Sequence, residues 1–275
     1  NGFIGSWVCS DLLSKGFKVR AVVRDASDAA KYGFLTALPG AQGKLTLASG
    51  TLEPGGYDEA FAGVDGVVHT VAVVEVLDST DAENKILKPA LEGTKVALDA
   101  AAKARVKRFV VMSSVAAILD RGPAKPDGHV FTEEDWNDSA TLKADAYGFA
   151  KTQQERAVWE YVAASAPSFD AIAINPTVVL GPCLTKQHTK SSAVLVREVL
   201  YRNSMNDYQT TFVDVRTVAA AIGASLLRPA ASGKRFILTG DEPSMSTVQL
   251  GPIAQAELPE YKIGSPAKFG PWAVW

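Results

Sequence analysis

Tyr147 and Lys151 stand four residues apart in a stretch that reads as helix, Asp145-Ala146-Tyr147-Gly148-Phe149-Ala150-Lys151. At that spacing both side chains emerge on one helix face, one turn above the other. A phenol ordinarily ionises near pH 10, and an ammonium beside it favours the phenolate, so the pair can make tyrosine a working acid or base. Ser114, at the end of an apolar run, brings a hydroxyl able to hydrogen-bond the same substrate oxygen. Tyrosine and lysine at this spacing also form ordinary amphipathic surface pairs. The elements that position them have to decide.

The 275 residues are 47% hydrophobic, enough to bury a large core. A formal net charge of -2, with both signs interspersed, gives neither a basic field for nucleic acid nor a polybasic patch for a membrane surface. Cys9 and Cys183 have no C-x-x-C spacing and no histidine cluster beside them, so no disulfide framework and no metal site is expected, and reduced, cytoplasmic surroundings fit. No apolar run reaches the roughly 18 to 20 residues that span a bilayer. The chain begins at Asn1-Gly2, inside a motif, so a targeting segment ahead of it is not excluded.

Strands and helices alternate. A helix entered at Gly2 to Gly5 stops at Lys15-Gly16, followed by a strand over 17–24, a helix over 29–38, a strand over 44–48, a helix over 57–62 and a strand over 66–70. A long helix from about Asp81 to Ala104 precedes the strand 108–113, and the Tyr147 helix runs through Val162 to a strand over 169–175. Runs such as Phe109-Val110-Val111-Met112 are apolar on both faces, as a parallel sheet covered by helices on each side requires. The expected fold is α/β, a doubly wound parallel sheet of Rossmann type. Residues 1–182 form the nucleotide-binding domain, and 183–275 mainly a smaller substrate lobe with segments returning to the main sheet. In that second part a helix is expected over 186–201, a strand over 210–213, a helix over 215–227 and a strand over 234–238, while five prolines after Gly240 break up longer elements.

In a dinucleotide fold a glycine-rich turn joins the first strand to the first helix and lets backbone amides approach a pyrophosphate. Gly2-Phe3-Ile4-Gly5 reads as the latter part of such a turn, which places the sheet's first strand ahead of Asn1. At the end of the next strand an acidic residue suits the ribose 2′-hydroxyl of NAD, whereas an arginine accommodates a 2′-phosphate. Arg24 stands there, with Asp25 after it and Lys31 close by. This favours NADP(H) over NAD(H), unless Arg24 is merely a solvated residue at a strand end.

With these motifs in order, the chain resembles the extended short-chain dehydrogenases/reductases of the dihydroflavonol-reductase, cinnamoyl-CoA-reductase and aldehyde (methylglyoxal) reductase group. The resemblance rests on Asn1-Gly2-Phe3-Ile4-Gly5-Ser6, Val19-Arg20-Ala21-Val22-Val23-Arg24-Asp25, Gly56-Tyr57-Asp58-Glu59-Ala60-Phe61, Lys88-Pro89-Ala90-Leu91-Glu92-Gly93-Thr94, residues 107–114, Thr132-Glu133-Glu134-Asp135-Trp136, residues 147–151 and residues 175–182. It implies NADPH-dependent, reversible reduction of an aldehyde or ketone by a monomer or homodimer. Ser114, Tyr147 and Lys151 would be its catalytic residues. Gly2, Phe3, Ile4 and Gly5 would hold the pyrophosphate, Arg24 and Lys31 the 2′-phosphate, and Lys151 the nicotinamide ribose, with Tyr147 also among the cofactor contacts. Thr70, Val71 and Ala72 would pass under the cofactor, Pro176, Thr177, Val178 and Val179 would flank the nicotinamide, and Ser191 is a further contact.

There are departures from the family pattern. Gly50 aligns with an aspartate placed near the adenine, Val71-Ala72-Val73 replaces alanine-threonine-proline, and Ala144-Asp145-Ala146 precedes Tyr147 where cinnamoyl-CoA reductases carry their signature. Alternatives within and outside enzymology are an NAD-dependent nucleotide-sugar epimerase or dehydratase, opposed by Arg24, and a dinucleotide-sensing regulator, opposed by the retained Tyr147 and Lys151. His69, His129 and His188 share no ligand spacing and read as structural or surface residues, the last two in polar loops. Glu133-Glu134-Asp135 reads as a solvated turn without catalysis.

Overall fold

The computed structural model describes residues 1–71, 81–120, 122, 126, 128–190, 192–196 and 209–263. Its centre is a parallel ladder of β3 (Gly66–His69), β4 (Arg108–Met112), β5 (Asp170–Pro176) and β9 (Arg235–Leu238), in that order. Val111 lies opposite Ala173, and Ala173 opposite Arg235. A second parallel ladder pairs β1 (Val19–Val23) with β2 (Leu45–Ser49). Among the described residues no strand is hydrogen-bonded between β1 and β3. The apolar faces of β1, β4 and β5 nonetheless share one core, in which Ala21, Val23, Val110, Met112, Ile172 and Ile174 pack together.

Helices cover both faces, which is why β4 and β5 are apolar throughout. On one side α1 (Phe3–Ser14) packs on α6 (Val215–Leu227) through Val8, Leu12, Val218 and Ile222. On the other, α4 (Lys88–Lys103) lies beside α5 (Ala146–Ser165), and Ala97, Ala100, Ala101 and Val158 close over Phe109 and Val111. Shorter pieces complete the order: α2 (Ala29–Thr36), α3 (Asp58–Phe61), β6 (Val178–Leu180) paired with β8 (Phe212–Asp214), β7 (Gln209–Thr210) paired with β10 (Met245–Ser246), and α7 (Leu250–Glu257). Beyond residue 182, α6 and β9 are thus built into the main layers. Of the helix expected over 186–201, residues 186–190 form a 3-10 turn, and 191 and 197–201 lie outside the described residues.

The helix expected from about Asp81 opens as a wide π turn over Glu83–Leu87 and becomes α-helical only from Lys88. Pro89 accounts for this. It has no N–H to give to the carbonyl four residues earlier, so the regular ladder starts with proline in its first turn.

Candidate active site

The helix that carries Tyr147 and Lys151 starts at Asp145, whose carboxylate accepts from the Gly148 amide at 2.8 Å and satisfies one of the unpaired N–H groups of the first turn. Its inward face is polar: Lys151, Thr152, Gln154 and Glu155 are all buried, with Ala150 and Val158 beside them. Such a face needs partners, and it has them. Glu155 is fully buried and accepts from Ser113 Oγ at 2.5 Å, Asn175 Nδ2 at 2.7 Å and Arg235 Nε at 2.5 Å. Arg235 comes from β9, and its guanidinium lies 3.7 Å over the Trp136 ring.

Successive residues of an extended chain point to opposite sides, and the serine pair follows that rule. Ser113 turns inward to Glu155, while Ser114 accepts from the Ala116 amide at 3.1 Å and faces the Tyr147 phenol, whose ionised form it favours. Asn175 Nδ2 also donates to the Ser114 carbonyl at 3.1 Å, which ties β5 to the same point.

Lys151 donates to the Met112 carbonyl at 3.1 Å and to Gln154 Oε1 at 3.0 Å. Burial brings its ammonium down to about 8, and Glu155 opposes that shift. The Tyr147 phenol is held above its ordinary value, first by burial, with Asp145 adding to the rise and the Ser114 hydrogen bond working against it. Lys151, which was expected to bring the phenol down, is not among the causes of this shift, and burial is the largest of them.

One cavity of about 960 Å³ is lined by Gly2, Phe3, Ile4, Gly5, Thr70, Ser114, Tyr147, Lys151 and residues 176–179. The N-terminus of α1 opens into it. Gly2, the N-cap, makes no side-chain cap, and the first turn has no acidic residue, so its amides are disposed toward an anion. A Cβ on Gly5 would stand 2.9 Å from Thr70 Oγ1, whereas one on Gly2 would meet nothing within 4 Å. The turn is close-packed behind and open in front, as a backbone cradle for a pyrophosphate must be.

Arg24, Lys31 and Val71 do not line this cavity; Arg24 is exposed just after β1, and the Lys31 ammonium stands 5.3 Å over the Tyr32 ring. Ala72 and Ser191 lie outside the described residues. Asp25 is committed to Ser27, from whose amide and hydroxyl it accepts at 2.9 and 2.6 Å, which holds its carboxyl below the usual range. At Gly50 a Cβ would meet Val22 at 2.6 Å and the Tyr57 ring at 2.7 Å. The buried Tyr57, stacked on Phe61, fills the space an aspartate would need.

Sequence reasoning missed several lining residues, among them Ile86, Leu119, Asn137, Leu142 and Lys190. It also put His188 in a polar loop. His188 is buried between Phe3 and Phe34, and its Nε2 reaches the Asn1 carbonyl at 3.1 Å, fastening the 181–190 loop over the glycine turn. Trp7 Nε1 donates to the Pro182 carbonyl at 2.8 Å and does the same from α1. The acidic run is not a free turn either: Glu133 accepts from the Ile237 amide at 3.1 Å, and Asp135 accepts from Thr132 N at 2.9 Å and pairs with His129 at 3.1 Å. Trp136 is held between Arg235 and Arg156, so Trp136 and Glu133 dock this loop on β9.

His69, behind Lys151, is buried, and desolvation followed by the Lys151 charge brings it to about 4. Its folded value lies below its ordinary value of 6.5, so the unfolded chain takes up the proton first and the folded state loses stability as pH falls from about 6.5 through about 4. The expected loss is up to about 3 kcal/mol. Urea unfolding near pH 7 and near pH 4.5 should show this acid slope, and it should flatten in His69→Asn; an equal slope in the variant would assign the loss elsewhere.

Comparison with known proteins identifies the family. The model of the NAD dependent epimerase/dehydratase family matches residues 1–236. Dihydroflavonol 4-reductase of Arabidopsis thaliana is 32% identical over 276 residues, covering 96% of this chain and 69% of that protein. Cinnamoyl-CoA reductase 2 of the same plant is 34% identical over 269 residues, covering 95% and 76%. Among solved structures, yeast methylglyoxal/isovaleraldehyde reductase Gre2 complexed with NADPH superposes with a TM-score of 0.84 at 26% identity, covering 97% of this chain and 83% of Gre2. With a family model spanning most of its length and reductases at this identity, the chain belongs to the NAD dependent epimerase/dehydratase family, as an extended short-chain dehydrogenase/reductase.

Proposed function

We propose that this protein reduces an aldehyde or ketone to the alcohol with NADPH, reversibly. The observation that carries the reading is the convergence of Ser114, Tyr147 and Lys151 on the cavity into which the Gly2 to Gly5 turn and the N-terminus of α1 also open. NADPH, when bound, supplies the hydride. The amides of the α1 turn would hold its pyrophosphate, residues 176–179 would flank the nicotinamide, and Arg24, with Lys31, would pair with the 2′-phosphate.

The substrate carbonyl oxygen sits between Ser114 and Tyr147. Ser114 donates to it as negative charge develops, and Tyr147 delivers the proton. The raised phenol suits that direction: Tyr147 is fully protonated at neutral pH and ready to give. Lys151 has three N–H groups, two of them spent on Met112 O and Gln154 Oε1, which leaves the third for the cavity and the ribose. Ile86, Leu119 and Leu142 favour an apolar carbonyl compound over a sugar. The test is a panel of aldehydes and ketones with NADPH and NADH, beside a nucleotide-sugar control with NAD. Turnover of the control alone would favour an epimerase or dehydratase, and dinucleotide binding without turnover of any member a sensing role.

Cofactor choice is expected to rest on Arg24, because a guanidinium pairs bidentately with a phosphate while NADH offers a hydroxyl there. Charge-assisted hydrogen bonds contribute roughly 1.5 to 3 kcal/mol, or about one to two decades of affinity. Arg24→Asp should lower the ratio of kcat/KM for NADPH to that for NADH by at least that much, Lys31 supplying the remainder. A ratio unmoved by the substitution would make Arg24 a solvated strand-end residue.

A further inference from the structure

Gln154 lies inside the protein, three residues beyond Lys151, and its amide is fixed at both ends. Oε1 accepts from Lys151 Nζ at 3.0 Å, and Nε2 donates to Thr94 Oγ1 at 2.8 Å. Thr94 in turn stands 3.4 Å from His69 Nε2. All four side chains are buried, Thr94 at 0% and Gln154 at 2% exposure. The Lys151 end of this chain has a fixed direction. An ammonium can only donate, so Gln154 presents its oxygen to Lys151 and its NH₂ to Thr94. A Thr94 hydroxyl that donates to a neutral His69 imidazole continues the same order, with every dipole's negative end toward Lys151. Burial keeps His69 neutral, the form this order uses.

We propose that Gln154 is the positioning residue of Lys151: its amide, braced by Thr94 and His69, steers the ammonium so that one N–H faces the cavity, and keeps it charged there. This rests on the reading of Lys151 as part of the active site. The Met112 carbonyl is a backbone group that any side chain leaves in place, so the Gln154 amide is the side-chain contact on which Lys151's orientation depends. A proton cannot be passed inward through it, because the amide holds its hydrogens and His69 stays neutral. Among the described residues, the charged and titratable groups coupled to Lys151 are Glu155 on α5 and His69 on β3; Tyr147, one turn earlier on α5, is acted on by the capping Asp145, and Arg235 on β9 is paired with Glu155. The 81–88 segment packed against α5 carries Asp81, Glu83, Lys85 and Lys88, all exposed.

The experiment is a pH titration of the Lys151 side chain by lysine-selective NMR, with the resonance assigned by its absence in Lys151→Met, in wild type, Gln154→Leu and Gln154→Glu. Leucine keeps the volume and removes the dipole, so the Lys151 titration should move below about 8. Glutamate keeps the acceptor and adds a charge, so it should move up by roughly 1 to 3 units. The same variants are then assayed for NADPH affinity and kcat on the best carbonyl substrate. Loss is expected in Gln154→Leu, with partial recovery in Gln154→Glu. Shifts of opposite sign from two substitutions of nearly one shape are not produced by a merely structural contact. A titration that stays put in both variants, or falls in both, overturns the proposal. If Gln154→Leu does not fold, a Gln154→Glu titration that fails to rise overturns it alone. A protein that reduces no carbonyl but shows the opposite shifts would refute the functional reading and leave the positioning intact.

Discussion

Tyr147→Phe is expected to lower kcat on the best carbonyl substrate by about 10²- to 10⁴-fold, the range that a positioned general acid typically contributes, while NADPH affinity stays within a few-fold. The substitution removes one hydroxyl and leaves the ring. Ser114 keeps the Ala116 amide and its place just after β4. Lys151 keeps Met112 O and Gln154 Oε1, so the group proposed for the ribose stays in position. Steady-state kinetics beside a fluorescence titration with NADPH separates the two effects. A variant with wild-type kcat would remove Tyr147 from the chemistry, and one that loses kcat and NADPH affinity together would assign it a binding role.

Arg235→Met is expected to destabilise the fold by about 3 to 5 kcal/mol, the cost of leaving one member of a buried ion pair uncompensated. The carboxylate left behind would be Glu155, fully buried, with Ser113, Asn175 and Trp159 as its neutral donors. The loss should reach beyond stability. The Arg235 guanidinium also donates to the carbonyls of Glu133 and Asp135 at 2.8 and 2.6 Å and stacks on Trp136, and the same loop supplies Asn137, a cavity residue that donates to the Ala116 carbonyl at 2.9 Å. Replacing both members, as Glu155→Leu with Arg235→Met, should cost less than Arg235→Met alone, because no charge is stranded. Urea unfolding of the two singles and the double tests this. A double variant as unstable as the sum of the singles would show that packing around Trp136, and not the buried charge, carries the cost.

What the sequence revealed of this architecture follows from where its signals are local. Apolar runs such as Phe109 to Met112 mark strands covered on both faces. The boundaries read for β3, β4, β5 and α6 fall within a residue or two of those observed, because glycine, proline and capping residues punctuate them. Tyr147 and Lys151 were legible for the same reason: a four-residue spacing fixes a common face without knowledge of anything else. Which face turned inward was not legible. The buried stripe of α5 is Lys151, Thr152, Gln154 and Glu155, a set that apolar periodicity reads as solvent-facing.

The partners that make this face tolerable come from far along the chain. Arg235 lies 80 residues from Glu155, Thr94 60 residues from Gln154, and Ser113 42 residues from Glu155. Glu133 to Asp135 illustrates the same limit, since an acidic run reads as solvated until β9 is placed against it. His188 does too, for nothing in its own neighbourhood announces that Phe3 and Phe34 will enclose it.

The most direct measurement of the central claim follows the hydrogen itself. The full protein is incubated with an apolar ketone or aldehyde and NADPH deuterated at its transferable position, and the product is analysed by mass spectrometry and NMR. The expected product is the alcohol, with deuterium on the carbinol carbon, the hydroxyl proton coming from water by way of Tyr147, and the yield falling with Tyr147→Phe. An alcohol formed without deuterium, or with a yield indifferent to Tyr147, would contradict hydride transfer to a carbonyl held between Ser114 and Tyr147.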